Sequence, residues 1–411
     1  MPFLRENARW LAGGFLLAFF SSFGQTFFIS IWGSEIRAEF GLTHGGFGAL
    51  YMGATLASAL TLPFLGRLID DMDVWRFAVG AMLMLSLSTL AMGWVGSLAT
   101  LALAIYGLRL FGQGLMTHTA LTAMGRWYVA NRGRAVSVAV IGHQAGEAVL
   151  PITVVTLAAY VSWRGTWFVA AAALLLVALP LIANLMAKER TPRGEASSAN
   201  ETGRQWTRGE VMADPLFWAV VVGIMIPPFT GTSIFFHQDY LIELNGWSPS
   251  VYYGAFSLMA ATTVVFALAT GALVDRFGAT KLLPVFFVPL GLSCLVAGTL
   301  ATPWSAILFM MLLGTSYGIS QTLFGALWPE LYGTRHLGAV RSVVTAIMVF
   351  FTAAGPGLTG ALIDLGIPFP DQLVAIGLWC FAVAVLMIFV SQRLQRRSGL
   401  NGLANRVGAG A

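Results

Sequence analysis

Two ionisable residues, Arg109 and Glu147, stand deep inside runs that are otherwise apolar. A charge near the middle of a bilayer costs about 2.5–3.5 kcal/mol on insertion scales, so such residues point by default to a pathway or a binding site. Gln113 follows Arg109 by four residues, which puts a guanidinium and an amide on one helix face. That pair suits a carboxylate, held by a bidentate contact and one further donor. His143 precedes Glu147 by four residues. Imidazole and carboxylate both change charge within reach of physiological pH, which suits a proton relay. No third ligand accompanies them, so no metal site is expected. Structural alternatives stay open. Arg109 and Glu147 could pair and fix helix packing, and His143 with Glu147 could be a plain hydrogen-bonded pair.

The elements that carry these residues follow from composition. The chain has 411 residues, of which 57% are hydrophobic and 10% charged. Its mean hydropathy is +0.77. Soluble domains carry roughly 25% charged residues. So little charge cannot cover a water-facing surface, and lipid is the expected solvent. A spanning helix needs about 20 apolar residues. Such runs fall near 10–33, 46–66, 75–96, 98–125, 135–161, 165–187, 216–240, 251–273, 281–301, 304–329, 340–363 and 371–391, here α1 to α12. The first run is too long for a signal peptide and ends in no small-residue cleavage site, so it is expected to remain as α1. Cys294 and Cys380 lie inside apolar runs and read as buried thiols.

One long polar connection, 188–215, divides the chain into an N-terminal bundle (1–187) and a C-terminal bundle (216–391), with a tail at 392–411. With the N-terminus inside, 20 of the 23 Lys and Arg fall in cytoplasmic segments, and only Arg37 and Arg164 fall in outer loops. The positive-inside rule then places both termini and the linker in the cytoplasm, in a cell inner membrane. The basic pI of about 9.5 is thereby read as topology and not as nucleic-acid binding.

The halves repeat at an offset of 205 residues. Gly66, Asp70 and Arg76 map to Gly271, Asp275 and Lys281, while Gly133, Ser137 and Pro151 map to Gly338, Ser342 and Pro356. Six matches in one register argue for duplication, with parallel repeats about an axis along the membrane normal. The segment from Gly271 through Asp275, Arg276 and Gly278 to Lys281 strongly resembles the loop motif of the major facilitator superfamily between α8 and α9. Gly66 to Arg76 resembles its degenerate copy between α2 and α3, with Asp71 where the family has a basic residue. The resemblance implies an all-α, twelve-helix facilitator fold and a secondary transporter working by alternating access. It implies a gating role for Gly66, Asp70, Arg76, Gly271, Asp275 and Arg276. Glycine permits close helix approach, and an Asp can complement a helix N-terminus and pair with an Arg.

The family pattern lines the path with α1, α4, α7 and α10. It adds Gln25, His237, Tyr317 and Gln321 to Arg109 and Gln113 as substrate candidates, with Ser22, Thr230, Gln238 and Ser320 beside them. Arg109 to Gly114 resembles a helix-4 motif of proton-coupled branches. Arg126-Trp127-Tyr128, Arg132 to Ala135 and Ser162-Trp163-Arg164 resemble bacterial relatives of the monocarboxylate porters. Those porters carry charge in α8, whereas 251–273 has none. A small organic anion driven by protons or another ion is the expected substrate. A proton-driven exporter of drugs or metabolites is the alternative, and a non-transporting membrane sensor is the rival of another class. No phosphate loop or catalytic cluster appears, so neither a cofactor nor an enzyme is expected. The expected partners are a small molecule and the lipid bilayer, with no nucleic acid, and the chain is expected to be a monomer. Pro151, Pro227-Pro228 and Gly355-Pro356-Gly357 predict bends in α5, α7 and α11.

Overall fold

The computed structural model describes residues 2–66, 68–128, 132–188, 205–333 and 336–408, and these are almost entirely helical. Most of the linker, 189–204, lies outside the described residues. Eleven helices are long and apolar enough to cross a membrane, and a bent pair makes a twelfth crossing. They are α2 (His44–Gly66), α3 (Val74–Gly93), α4 (Leu98–Trp127), α5 (Gly133–Ala158), α6 (Trp163–Met186), α7 (Pro215–Phe236), α8 (Pro249–Phe277), α9 (Ala279–Thr299), α10 (Pro303–Tyr332), α11 (Val343–Asp364) and α12 (Phe369–Arg397). Each matches an expected apolar run to within several residues. In lipid every backbone polar group must be satisfied inside its own segment, so apolar runs of this length become helices.

Three departures from straight spans matter. First, α1 is the bent pair Ala8–Gly24 and Thr26–Phe40, with an angle of 47° between its parts. Ser21–Gly24 forms a turn of 3-10 helix, and Gln25 is extended (φ −83°, ψ 154°). Second, α4 is a π-helix over Leu108–Met116, which includes Arg109 and Gln113. Wide turns of this kind are frequent at functional sites. Third, α7 is interrupted at Met225, and the chain continues past His237 as a further helix, Gln238–Leu244. Pro227-Pro228 sits in the first turn of Ile226–Phe236. Proline is tolerated there because those N–H groups have no intrahelical acceptor.

Helix ends follow local chemistry. Ser97 and Thr100 form a capping box at the start of α4. Asp214 accepts from the Leu216 amide at the start of α7. Gly41, in the left-handed region at φ 62°, ends α1 as side chains rarely permit. At the C-terminus the helix of α12 runs on to Gly408, so the expected tail is a helical extension for most of its length.

By internal packing the chain forms two compact units. The first comprises Met1–Ser198, Thr232–Ala260 and Ala353–Ile367, and the second comprises Ala199–Gly231, Ala261–Thr352 and Pro368–Ala411. This division differs from the expected bundles because the far ends of α7, α8 and α11 pack with the N-terminal helices. Within the first unit, Gly45 and Gly48 of α2 meet α11 so closely that a side chain at Gly48 would strike the Pro356 carbonyl and one at Gly45 the Asp364 carboxylate. Small residues of this kind let membrane helices approach backbone to backbone.

Candidate functional site

Arg109 is buried to 2% exposure. Its Nη1 donates to the Gly24 carbonyl (3.3 Å) and to Thr26 Oγ1 (3.2 Å). The guanidinium lies over the Tyr51 ring, 5.3 Å from its centre. The Tyr51 hydroxyl donates to Thr26 Oγ1 at 2.8 Å. Nε has no partner, and no carboxylate lies within ion-pair distance among the described residues. A buried cation held by a carbonyl, a hydroxyl and a ring keeps its net charge. This arrangement is suited to an incoming anion.

The break in α1 makes the site. A regular helix would use the Gly24 carbonyl internally, whereas here it turns to Arg109. Gly24 lies against the backbone of Leu108, Gly112 and Gln113, with no room for a methyl group. Gln25, at 9% exposure, and the half-buried Gln113 flank the same contact.

Glu147 is buried on α5, and His143 Nε2 lies 3.8 Å from its Oε1. The sequence left a pairing of Arg109 with Glu147 open, and the structure has none. Arg109 faces α1 and α2, whereas Glu147 keeps to His143. Gly146, next to Glu147, lies against Ser22 of the α1 break, and the Ser22 hydroxyl is buried without a partner. Arg109, Gln113, Gln25, His143, Glu147 and His237 all belong to the first unit.

In the second unit, Tyr317 places its hydroxyl against Gly231 of α7, Gln321 is exposed, and the Thr230 hydroxyl is buried without a partner. His237 contacts α11 and α2. Its Nε2 is 3.0 Å from Thr359 Oγ1, and its ring is 5.7 Å from that of His44.

The model of the major facilitator superfamily matches residues 14–244 and again 228–406. The chain belongs to this superfamily. It is a multi-pass membrane protein of the secondary-transporter class. A search of curated proteins found no match. Among solved structures, the chain is similar to a bacterial homolog of the human lysosomal transporter Spinster. Against the inward-facing, unoccupied form the TM-score is 0.73 at 16% identity, covering 95% of this chain and 98% of the other. Against the inward-facing, occupied form it is 0.64 at 18% identity, covering 96% of each. These likenesses show the facilitator fold.

Facilitator architecture gives meaning to a cluster in the first unit, where α1 ends and α2 begins. Arg37 Nη2 pairs with Asp239 Oδ2 at 3.2 Å, and its Nη1 donates to His44 Nδ1 at 2.5 Å. Gln238 donates to the Phe27 carbonyl at 2.8 Å, and Gly45 N to Asp364 at 2.9 Å. Ser30 donates to the Phe235 carbonyl. Ser30 and Phe235 are 205 residues apart, so repeat-related positions of α1 and α7 meet. These bonds clamp the ends of α1 and α2 to the ends of α7 and α11.

At the loop motifs, Arg76 pairs with Asp73 at 3.3 Å, both well exposed. Asp275 and Arg276 are exposed, and Arg276 lies 5.2 Å from the Phe277 ring centre. The Asp70 side chain lies outside the described residues. A Cβ at Gly66 would meet the His118 ring at ordinary contact distance, and Gly271 faces open space. The carboxylate that caps the N-terminus of α9 is Glu330, which accepts from Ala279 N (2.6 Å) and Thr280 N (3.1 Å).

Sequence reasoning missed Thr26, Tyr51 and Glu330. Tyr51 looks like any aromatic in an apolar helix, although it is fully buried. Only the depth of Arg109 in the chain hinted that a helix facing it must bring polar groups.

Proposed function

We propose that this chain is a proton-coupled transporter of a small organic anion, such as a monocarboxylate. It resides in the cell inner membrane with both termini cytoplasmic. The observation that carries this reading is the buried Arg109 guanidinium, which has a free Nε and no carboxylate within reach among the described residues. Arg109, Gln113 and Gln25 hold the anion. Glu147, with His143, carries the proton. The Asp239–Arg37 cluster, including His237, is the outer gate, and each loop motif has a gating role at the inner side of its own half.

Breaking a mostly buried ion pair should shift the gate equilibrium by about 5- to 100-fold. Asp239→Asn in right-side-out vesicles should therefore raise the labelling rate of Gln25→Cys, beside the Arg109 site, by an impermeant maleimide by about that factor. An unchanged rate would remove the clamp from the gating cycle.

A second reading has one observation in its favour. A cavity of about 560 Å³ at the clamped end is lined by Glu35, Asp239, Glu243, Trp32, Trp247 and Tyr253. Acidic and aromatic walls suit an organic cation on its way out, as a proton-driven exporter would require. Vesicles assayed with labelled carboxylates and with cationic dyes separate the two readings. Accumulation of a carboxylate supports the anion porter. Proton-driven dye movement alone supports the exporter.

A further inference from the structure

The break in α1 touches both halves of the proposed coupling machinery. On one side Gly24 gives its carbonyl to Arg109 and lies against the backbone of Leu108 and Gly112 in α4. On the other side Ser22 lies against Gly146 in α5, one residue before Glu147, and Gly142 meets the backbone of Phe15. The break is therefore wedged between two helices with no slack at either face. Ser22 and Gly24 are two residues apart, so the two contacts lie within a single turn. Packed interiors do not deform smoothly, so a wedged element passes a shift at one face to the other. The Ser22 hydroxyl is the free polar group at the α5 face: it is buried and has no hydrogen-bond partner.

We infer that the Ser21–Gln25 break links the anion site at Arg109 to the proton site at Glu147, with Ser22 and Gly146 as positioning residues. This rests on the reading of Arg109 and Glu147 given above. An anion that takes the guanidinium competes with the Gly24 carbonyl for it. Release of that carbonyl lets the break move against α5, and the Ser22 hydroxyl moves with it along the face that bears Glu147. Among the described residues, the titratable group that faces Glu147 is His143 on its own helix, 3.8 Å away. At this level α1 contributes Ser22, and α8 contributes Ser257, which donates to the Ala148 carbonyl at 2.8 Å. The link acts through backbone position, so it is separable from the field of Arg109.

The test uses the full-length purified protein and needs no substrate. A carbodiimide modifies a buried carboxyl group only when it is protonated, so the pH midpoint of its reaction at Glu147, read by mass spectrometry, reports proton occupancy. Arg109→Lys keeps the charge but gives up the planar fork that reaches Gly24. It should move the midpoint by about one pH unit, a tenfold coupling. In a Ser22→Ala background, which removes only a hydroxyl, the same Arg109→Lys change should move it by less than about a third of that. Gly146→Ala, which displaces Ser22, should likewise abolish the response. An equal shift with and without Ser22, or no shift on Arg109→Lys, would overturn the link while leaving Glu147 as a proton site. Absence of any pH-dependent labelling at Glu147 would overturn the proton site along with the link.

Discussion

Arg109→Gln is expected to abolish saturable carboxylate transport while leaving protein level and thermal stability close to wild type. Removing one partner of a buried, hydrogen-bonded charge pair costs about 2–5 kcal/mol, or roughly 30-fold to several thousand-fold in affinity. The folded protein does not suffer the same loss. In the substrate-free chain Arg109 has a carbonyl, a hydroxyl and a ring as partners, and no carboxylate is left stranded when it goes. A buried cation without a counter-ion is a burden on folding, so the shorter neutral amide, which removes that burden, is expected to leave stability close to wild type. Arg109→Lys should fall between, since it keeps the charge and loses the fork. Binding and melting temperature measured on the same preparations check this. Joint loss of stability and transport would give Arg109 a structural role only.

Glu147→Gln is expected to separate exchange from accumulation. The amide stands in permanently for the protonated acid, so the variant should still exchange external for internal substrate. Net uptake against a gradient should disappear. With one proton per anion, each pH unit drives about tenfold accumulation, because both amount to about 1.4 kcal/mol. Wild type should therefore reach about tenfold per pH unit, and the variant should level at equal concentrations. His143, 3.8 Å away, is expected to assist the carboxylate without replacing it. Full accumulation by Glu147→Gln would remove it as the proton carrier.

The fold was largely legible before any coordinates because lipid imposes one simple rule on a chain. Apolar runs of about 20 residues must become helices, so hydropathy placed all twelve crossings. The duplication was legible through loop residues such as Gly271, Asp275 and Lys281, whose types are set by tight connections. The α1 break was not legible. Ser21-Ser22-Phe23-Gly24-Gln25 has no proline and a single glycine, and it breaks because Gly24 and Ser22 are pressed against α4 and α5. That is a tertiary cause, invisible to local pattern. Depth was also a partial guide. It found Arg109 and Glu147, but depth gives no azimuth, and only their facing separates them. The repeat could not help here, because Arg109 and Glu147 map to Gly314 and Thr352. The machinery assigned to anion and proton is thus confined to one half, while the loop motifs appear in both. Glu330 escaped notice for a similar reason, since its repeat mate is Gly125.

Proton movement driven by a carboxylate gradient gives the most direct test. The purified protein would be placed in liposomes with a pH dye inside, and a panel of small monocarboxylates would be added outside. At least one member should acidify the interior at a rate that Arg109→Gln and Glu147→Gln both abolish. Interiors that hold their pH against every carboxylate, while cationic dyes move with protons, would contradict the assignment of Arg109 as an anion site.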